Sequence, residues 1–226
     1  MYASWPCPQP DGATGEEMVL GFDRTRAQRL LVVPPLFDEA NKFRHQIFEI
    51  MRRLDAREVD CFLPDLPGCN ESMAPQAEQS IAAWREAVAA AAAHFRTDRI
   101  LAIRSGAWLV PDGYAGWAYA PAKPKQVLRG MLRARTIAAR EAGRSETAEA
   151  LLAEGRATGL DLAGWQLGAE LVREMDDAGF APSSALVAID QAEIGGKPLW
   201  LRAENDVDPA QASALATLVA AGMVEP

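Results

Sequence analysis

An α/β fold with a mostly parallel, twisted sheet flanked by helices is predicted by three observations. Short apolar runs close on breakers, as Leu30-Leu31-Val32-Val33 does before Pro34-Pro35. Stretches with helical spacing alternate with these runs, and strand-helix-strand alternation implies parallel pairing through right-handed crossovers. The 226 residues, 49% of them hydrophobic, suffice for one sizeable core, so residues 1–226 are expected to form a single domain.

The elements follow in order. A Pro-rich start precedes an apolar run over residues 18–22. After the strand at 30–33, residues 41–54 place Phe43, Ile47, Ile50, Met51 and Leu54 at helical spacing. Residues 59–63 read as the next strand, closed by Pro64, and the Ala-rich stretch 79–95 as a helix with Ile81, Trp84 and Val88 on one face. A strand at 100–103 leads into a helix expected to begin near Gly106, and 114–119 is a further strand ended by Pro121 and Pro124. No strand signal occurs from Lys123 to about Asp177, so residues 121–180 are expected to form a helical cap inserted in the domain. Strands are expected again at 185–189 and 199–202, and Asp208-Pro209 caps a last helix reaching about Ala221.

Composition narrows the function classes. A formal charge of -8 disfavours nucleic acid as a partner. Three cysteines, Cys7, Cys61 and Cys69, follow no metal-ligand spacing and suggest neither a disulfide framework nor a metal site. Reduced thiols, the lack of a signal-peptide pattern and the lack of an 18-residue apolar run fit a cytoplasmic chain with no transmembrane segment. No motif calls for a cofactor.

Ligands of open α/β sheets bind beyond the carboxyl ends of the strands, which directs attention to residues 35–42, 65–72, 104–107 and 203–208. The order of these segments resembles the α/β-hydrolase family. Pro-Pro-Leu-Phe-Asp-Glu-Ala-Asn-Lys, from Pro34, sits where that family has its oxyanion loop; residues 65–72 look like its Asp-x-x-Gly-x-x-x-Ser turn; residues 100–107 occupy its nucleophile elbow. Residues 35–42, 63–69, 103–107 and 125–129 resemble more narrowly the subgroup called exosortase A system-associated hydrolase 2. The resemblance implies an α/β-hydrolase-like fold and a bacterial, cytoplasmic accessory role beside exosortase-dependent protein sorting and exopolysaccharide production.

The elbow needs small residues two before and two after the nucleophile, because strand and helix approach closely there. With Arg104 at the nucleophile position these are Ala102 and Gly106; with Ser105 they are Ile103 and Ala107, and isoleucine fits the first poorly. Arg104 is the better occupant, with Ser105 the alternative. A guanidinium stays protonated and cannot attack. The base is missing too: the histidine is expected after the last strand, and the only histidines, His45 and His94, lie upstream on helices.

Acidic residues stand in the histidine's place. Glu204, Asp206, Asp208 or, from the oxyanion loop, Glu39 is a candidate to pair with Arg104 in bidentate geometry, although 204–208 also reads as a polar turn with Asp208 as helix cap. Glu39, Asn41 and Lys42 form a polar cluster past a strand end, suited to an anionic or hydroxylated ligand unless Asn41 is a cap and Lys42 faces solvent. Cys69 is a loop thiol without a partner histidine. From Pro121 to Ser145, seven basic residues face the single acid Glu141, a candidate surface for an anionic substrate, a membrane or a protein partner.

Three functions are consistent with these residues: a non-catalytic or repurposed hydrolase-fold protein binding a small anionic or acyl ligand around Arg104; an ester or thioester hydrolase using Ser105 with an unusual base; and an interaction module docking through its basic cap.

Overall fold

The structure, a computed structural model, describes residues 1–177, 183–202 and 204–224. Residues 178–180 of the expected cap and Ala203 of the acidic loop lie outside the described residues. The strands are β1 Tyr2–Pro8, β2 Thr14–Phe22, β3 Arg29–Val33, β4 Asp60–Pro64, β5 Arg99–Ile103, β6 Gly116–Tyr119, β7 Leu160–Leu162, β8 Trp165–Leu167 and β9 Leu186–Ile189. The helices are α1 Asp38–Asp55, α2 Ile81–Phe95, α3 Pro124–Glu141, α4 Ala148–Thr158, α5 Ala169–Asp176, α6 Gln191–Ile194 and α7 Pro209–Val224.

Seven strands form one sheet in the order β1-β2-β4-β3-β5-β6-β9. β2 runs antiparallel to both β1 and β4, and every later pair is parallel. The central strands are apolar along their whole length because both faces are covered. In β3, Leu31 and Val33 pack with Trp84 and Val88 of α2, while Leu30 and Val32 pack on the other face with Phe43, Ile47 and Ile50 of α1 and Leu215 of α7. Strand periodicity thus splits one apolar run into two cores.

Helix ends follow their local chemistry. Ser80 caps α2 by accepting from the Ala83 N–H at 3.1 Å. Asp208 accepts from the N–H groups of Ala210 and Gln211 at the start of α7, which holds its carboxyl below the usual carboxylate range.

Three expectations are corrected, and one stretch that carried no assignment proves to be a strand. The Pro-rich start is strand β1, held as an edge by a seven-residue register with β2; proline is tolerated in such an edge strand. The helix expected near Gly106 is only a 3₁₀ turn, Arg104–Leu109, because Pro111 forces Val110 into an extended conformation. The stretch without strand signals contains the hairpin β7-β8, two three-residue strands too short for their alternation to register, joined at Ala163-Gly164, both with positive φ as a type I′ turn requires. The strand expected at 199–202 is a 3₁₀ turn, Leu199–Leu201, following Pro198, so the sheet ends at β9 among the described residues. No helix among the described residues is long and apolar enough to cross a membrane.

Candidate functional site

The carboxyl ends of β3, β5 and β6 converge, and each is followed by a non-glycine residue with positive φ: Phe37 at 59°, Arg104 at 56° and Ala120 at 44°. Such strain costs of order 1–3 kcal/mol per residue and persists only where surroundings enforce it. Around Arg104 the enforcement is visible. A Cβ on Gly106, two residues on, would sit 2.5 Å from the Val33 carbonyl oxygen and 2.6 Å from that of Pro34, so the turn descends directly against the end of β3. Ala102, two residues earlier, is fully buried. The sharp bend therefore has Arg104 at its apex, with small residues at the two flanking positions.

The guanidinium is held on three sides. Its Nε and Nη2 donate to the two carboxylate oxygens of Glu39, each at 3.0 Å, and Nη1 donates to the Ala120 carbonyl at 2.6 Å. Its carbon lies 4.1 Å over the ring of Trp200. The pair is largely withdrawn from water, with 13% of the Arg104 and 22% of the Glu39 side chain exposed. Fork and carboxylate match in geometry, which gives the strongest form of such a contact.

Ser105 borders the same space, but its hydroxyl is buried and already engaged. It is 1% exposed, and its Oγ accepts the Leu36 N–H at 2.8 Å. The hydroxyl thus fastens the loop after β3 to the elbow and satisfies a backbone donor of that loop.

The other candidates disperse. Asn41 is exposed and lines a different cavity, while Lys42 pairs with Asp38 one turn back on α1 at 2.8 Å. Glu204 is exposed, and Asp206 pairs with Arg202 in its own loop. Asp208 caps α7, and of the four carboxylates considered for Arg104 the structure brings Glu39 to it. His45 and His94 are exposed on α1 and α2 and line neither cavity beside the elbow. Burial pushes the Cys69 thiol up to about 12, as it does Cys7, so both stay protonated at neutral pH and are poor nucleophiles. Of the basic run, Lys125 pairs with Asp176 and Arg135 with Glu146; Lys123, Arg129, Arg133, Arg140 and Arg144 are exposed.

A crevice of about 520 Å³ opens over the elbow. Phe37, Arg104 and Trp200 line it from the sheet side, Val127 and Met131 from α3, and Trp165 from the β7-β8 hairpin. Trp200 and Trp165 escaped the sequence reading. Only the Pro198-Leu-Trp-Leu run and the Gly164-Trp dipeptide hinted that a turn would present an indole there.

Comparison with known proteins bears on this arrangement. No family model and no curated protein matches the sequence. Smu.1393c from Streptococcus mutans is similar over 100% of this chain and 97% of its own, with a TM-score of 0.50 and 12% identity. The fold, a mostly parallel seven-stranded sheet flanked by helices, is α/β-hydrolase-like. Two other solved structures are also similar. Est1E from Butyrivibrio proteoclasticus, solved with ferulic acid, matches over 100% of this chain and 98% of its own, with a TM-score of 0.46 and 12% identity. A putative hydrolase from Agrobacterium vitis S4 has a TM-score of 0.42 and 15% identity over 62% of this chain, which spans only 60% of that protein's length. Here the apex of the bend holds an arginine already bound to a carboxylate.

Proposed function

We propose that this chain is a non-catalytic hydrolase-fold protein that binds a small acyl ligand in the crevice over Arg104. The observation that carries the reading is the Arg104–Glu39 pair at the apex of the elbow. A guanidinium has no lone pair for attack. The neighbouring hydroxyl of Ser105 is buried in a structural hydrogen bond, and no histidine follows it in the chain to act as base.

Of the anionic and acyl ligands considered, the geometry favours the acyl one. Glu39 already neutralises Arg104, so an incoming anion would have to displace a bidentate carboxylate, whereas Phe37, Val127, Met131 and the two indoles offer apolar surface. The likeness of residues 35–42, 63–69, 103–107 and 125–129 to exosortase A system-associated hydrolases supports an accessory role in that setting.

Methyl decanoate titrated into the protein tests this. Saturable quenching of indole fluorescence is expected, with the ester recovered intact and with succinate unable to compete. Release of decanoate at a rate lost in Ser105→Ala would overturn the non-catalytic reading, and competition by succinate would return the ligand assignment to an anion.

A further inference from the structure

A second cavity, of about 310 Å³, lies beside the elbow crevice. Phe37 and Trp165 line both, in edge-to-face contact at 5.8 Å and 75°, and so form a shared wall. Nothing in the elbow chemistry uses this second space, whose polar side comes from α1 and the turn after β4.

That side is built around Asp65, a carboxylate only 4% exposed. It accepts from Asn70 Nδ2 at 2.7 Å and from Arg44 Nη1 at 3.3 Å. A carboxylate has about four acceptor positions, so about two remain for other donors. Arg44 keeps further N–H donors beyond that single long contact, and the Asn41 amide has no hydrogen-bond partner among the described residues. Donors and acceptors therefore stand close together, and the Asp65 and Arg44 charges cancel.

This combination selects by chemistry. A ligand carboxylate meets the charge of Asp65, an ammonium meets Arg44, and a bare acyl chain leaves the remaining donors and acceptors of the cavity without partners. Hydroxyl groups satisfy both kinds of partner, because each donates once and accepts twice. Trp165 lines the same cavity and supplies the aromatic ring on which the C–H face of a saturated ring can stack.

We propose that this cavity is a binding site for a hydroxylated ring of the hexopyranose type, with Asp65, Arg44 and Asn41 taking its hydroxyls and Trp165 its apolar face. The site is separate from the elbow and does not depend on whether the crevice over Arg104 holds an acyl ligand.

Saturation-transfer NMR on the full chain, with the methyl pyranosides of glucose, galactose and mannose and with butanoate as the acyl control, tests it. Transfer to the ring C–H protons of at least one glycoside is expected, stronger than to its methoxyl group, and any transfer to butanoate, from the neighbouring crevice, should be unchanged by Asn41→Ala. Trp165→Leu should abolish the transfer. Because Asp65 is buried and its replacement endangers folding, exposed Asn41→Ala carries the polar half of the test: the loss of one hydrogen bond weakens binding about fivefold. No transfer to any of the three glycosides, or transfer unchanged in both variants, would overturn the assignment. Butanoate transfer abolished by Asn41→Ala would show an acyl site instead.

Discussion

Glu39→Ala is expected to lower the unfolding free energy by about 3 kcal/mol, the lower end of the range for removing one partner of a buried ion pair, because both side chains keep some contact with water. The loss comes less from the attraction itself than from leaving the Arg104 guanidinium in a largely dry pocket with one carbonyl and one indole face as company. Urea unfolding should show a lower midpoint with an unchanged slope. If the cost is the uncompensated charge, the double variant Glu39→Leu with Arg104→Met recovers most of it, since a buried pair replaced by apolar residues is often neutral. A midpoint that does not move in Glu39→Ala would mean that the pair contributes nothing to the elbow.

Asp60→Ala should cost about 3–5 kcal/mol, for a different reason. Asp60 opens β4 at the opposite end of the sheet and is 0% exposed. Its oxygens accept the N–H groups of Arg24 and Arg26 and contact the guanidinium groups of Arg26 and Arg29. One carboxylate therefore fixes the β2-β3 connection and ties β3 to β4, with Asp55 and Asp23 neutralising the surplus positive charge from outside. Removing it strands two backbone donors and leaves Arg26 and Arg29 each with only one of its two carboxylate partners. Asp60→Asn keeps one acceptor oxygen and should lose roughly half as much. A loss below about 1 kcal/mol in Asp60→Ala, the size of one ordinary hydrogen bond, would contradict this account.

The parts of the fold legible in the sequence are those in which one residue's chemistry decides. Pro34, Pro64 and Pro121 bound strands, Asp208-Pro209 starts a helix, and the small pair Ala102 and Gly106 marks Arg104 as the apex of the bend, the residue that carries the positive φ. What escaped depends on tertiary contact. Residues 199–201 have the composition of a strand, but Trp200 stacks on Phe43 and covers Arg104, and a turn presents it there where a strand would pair it away. The β7-β8 hairpin has three residues per strand, below the length at which alternation can be told from chance, yet it delivers Trp165 to two cavities. Nor could spacing rank Glu39 against Glu204 and Asp206 as the partner of Arg104. The strained backbone at Phe37, just before α1, is part of what decides it, and strain of that kind leaves no mark in composition.

The central claim is that the elbow presents a bound cation and no reactive hydroxyl. Intact-mass spectrometry after incubation with a fluorophosphonate, which phosphonylates activated serines, tests it most directly. The predicted spectrum shows the unmodified chain alone. An adduct mapping to Ser105 would show that its hydroxyl is both exposed and activated, and would contradict the account.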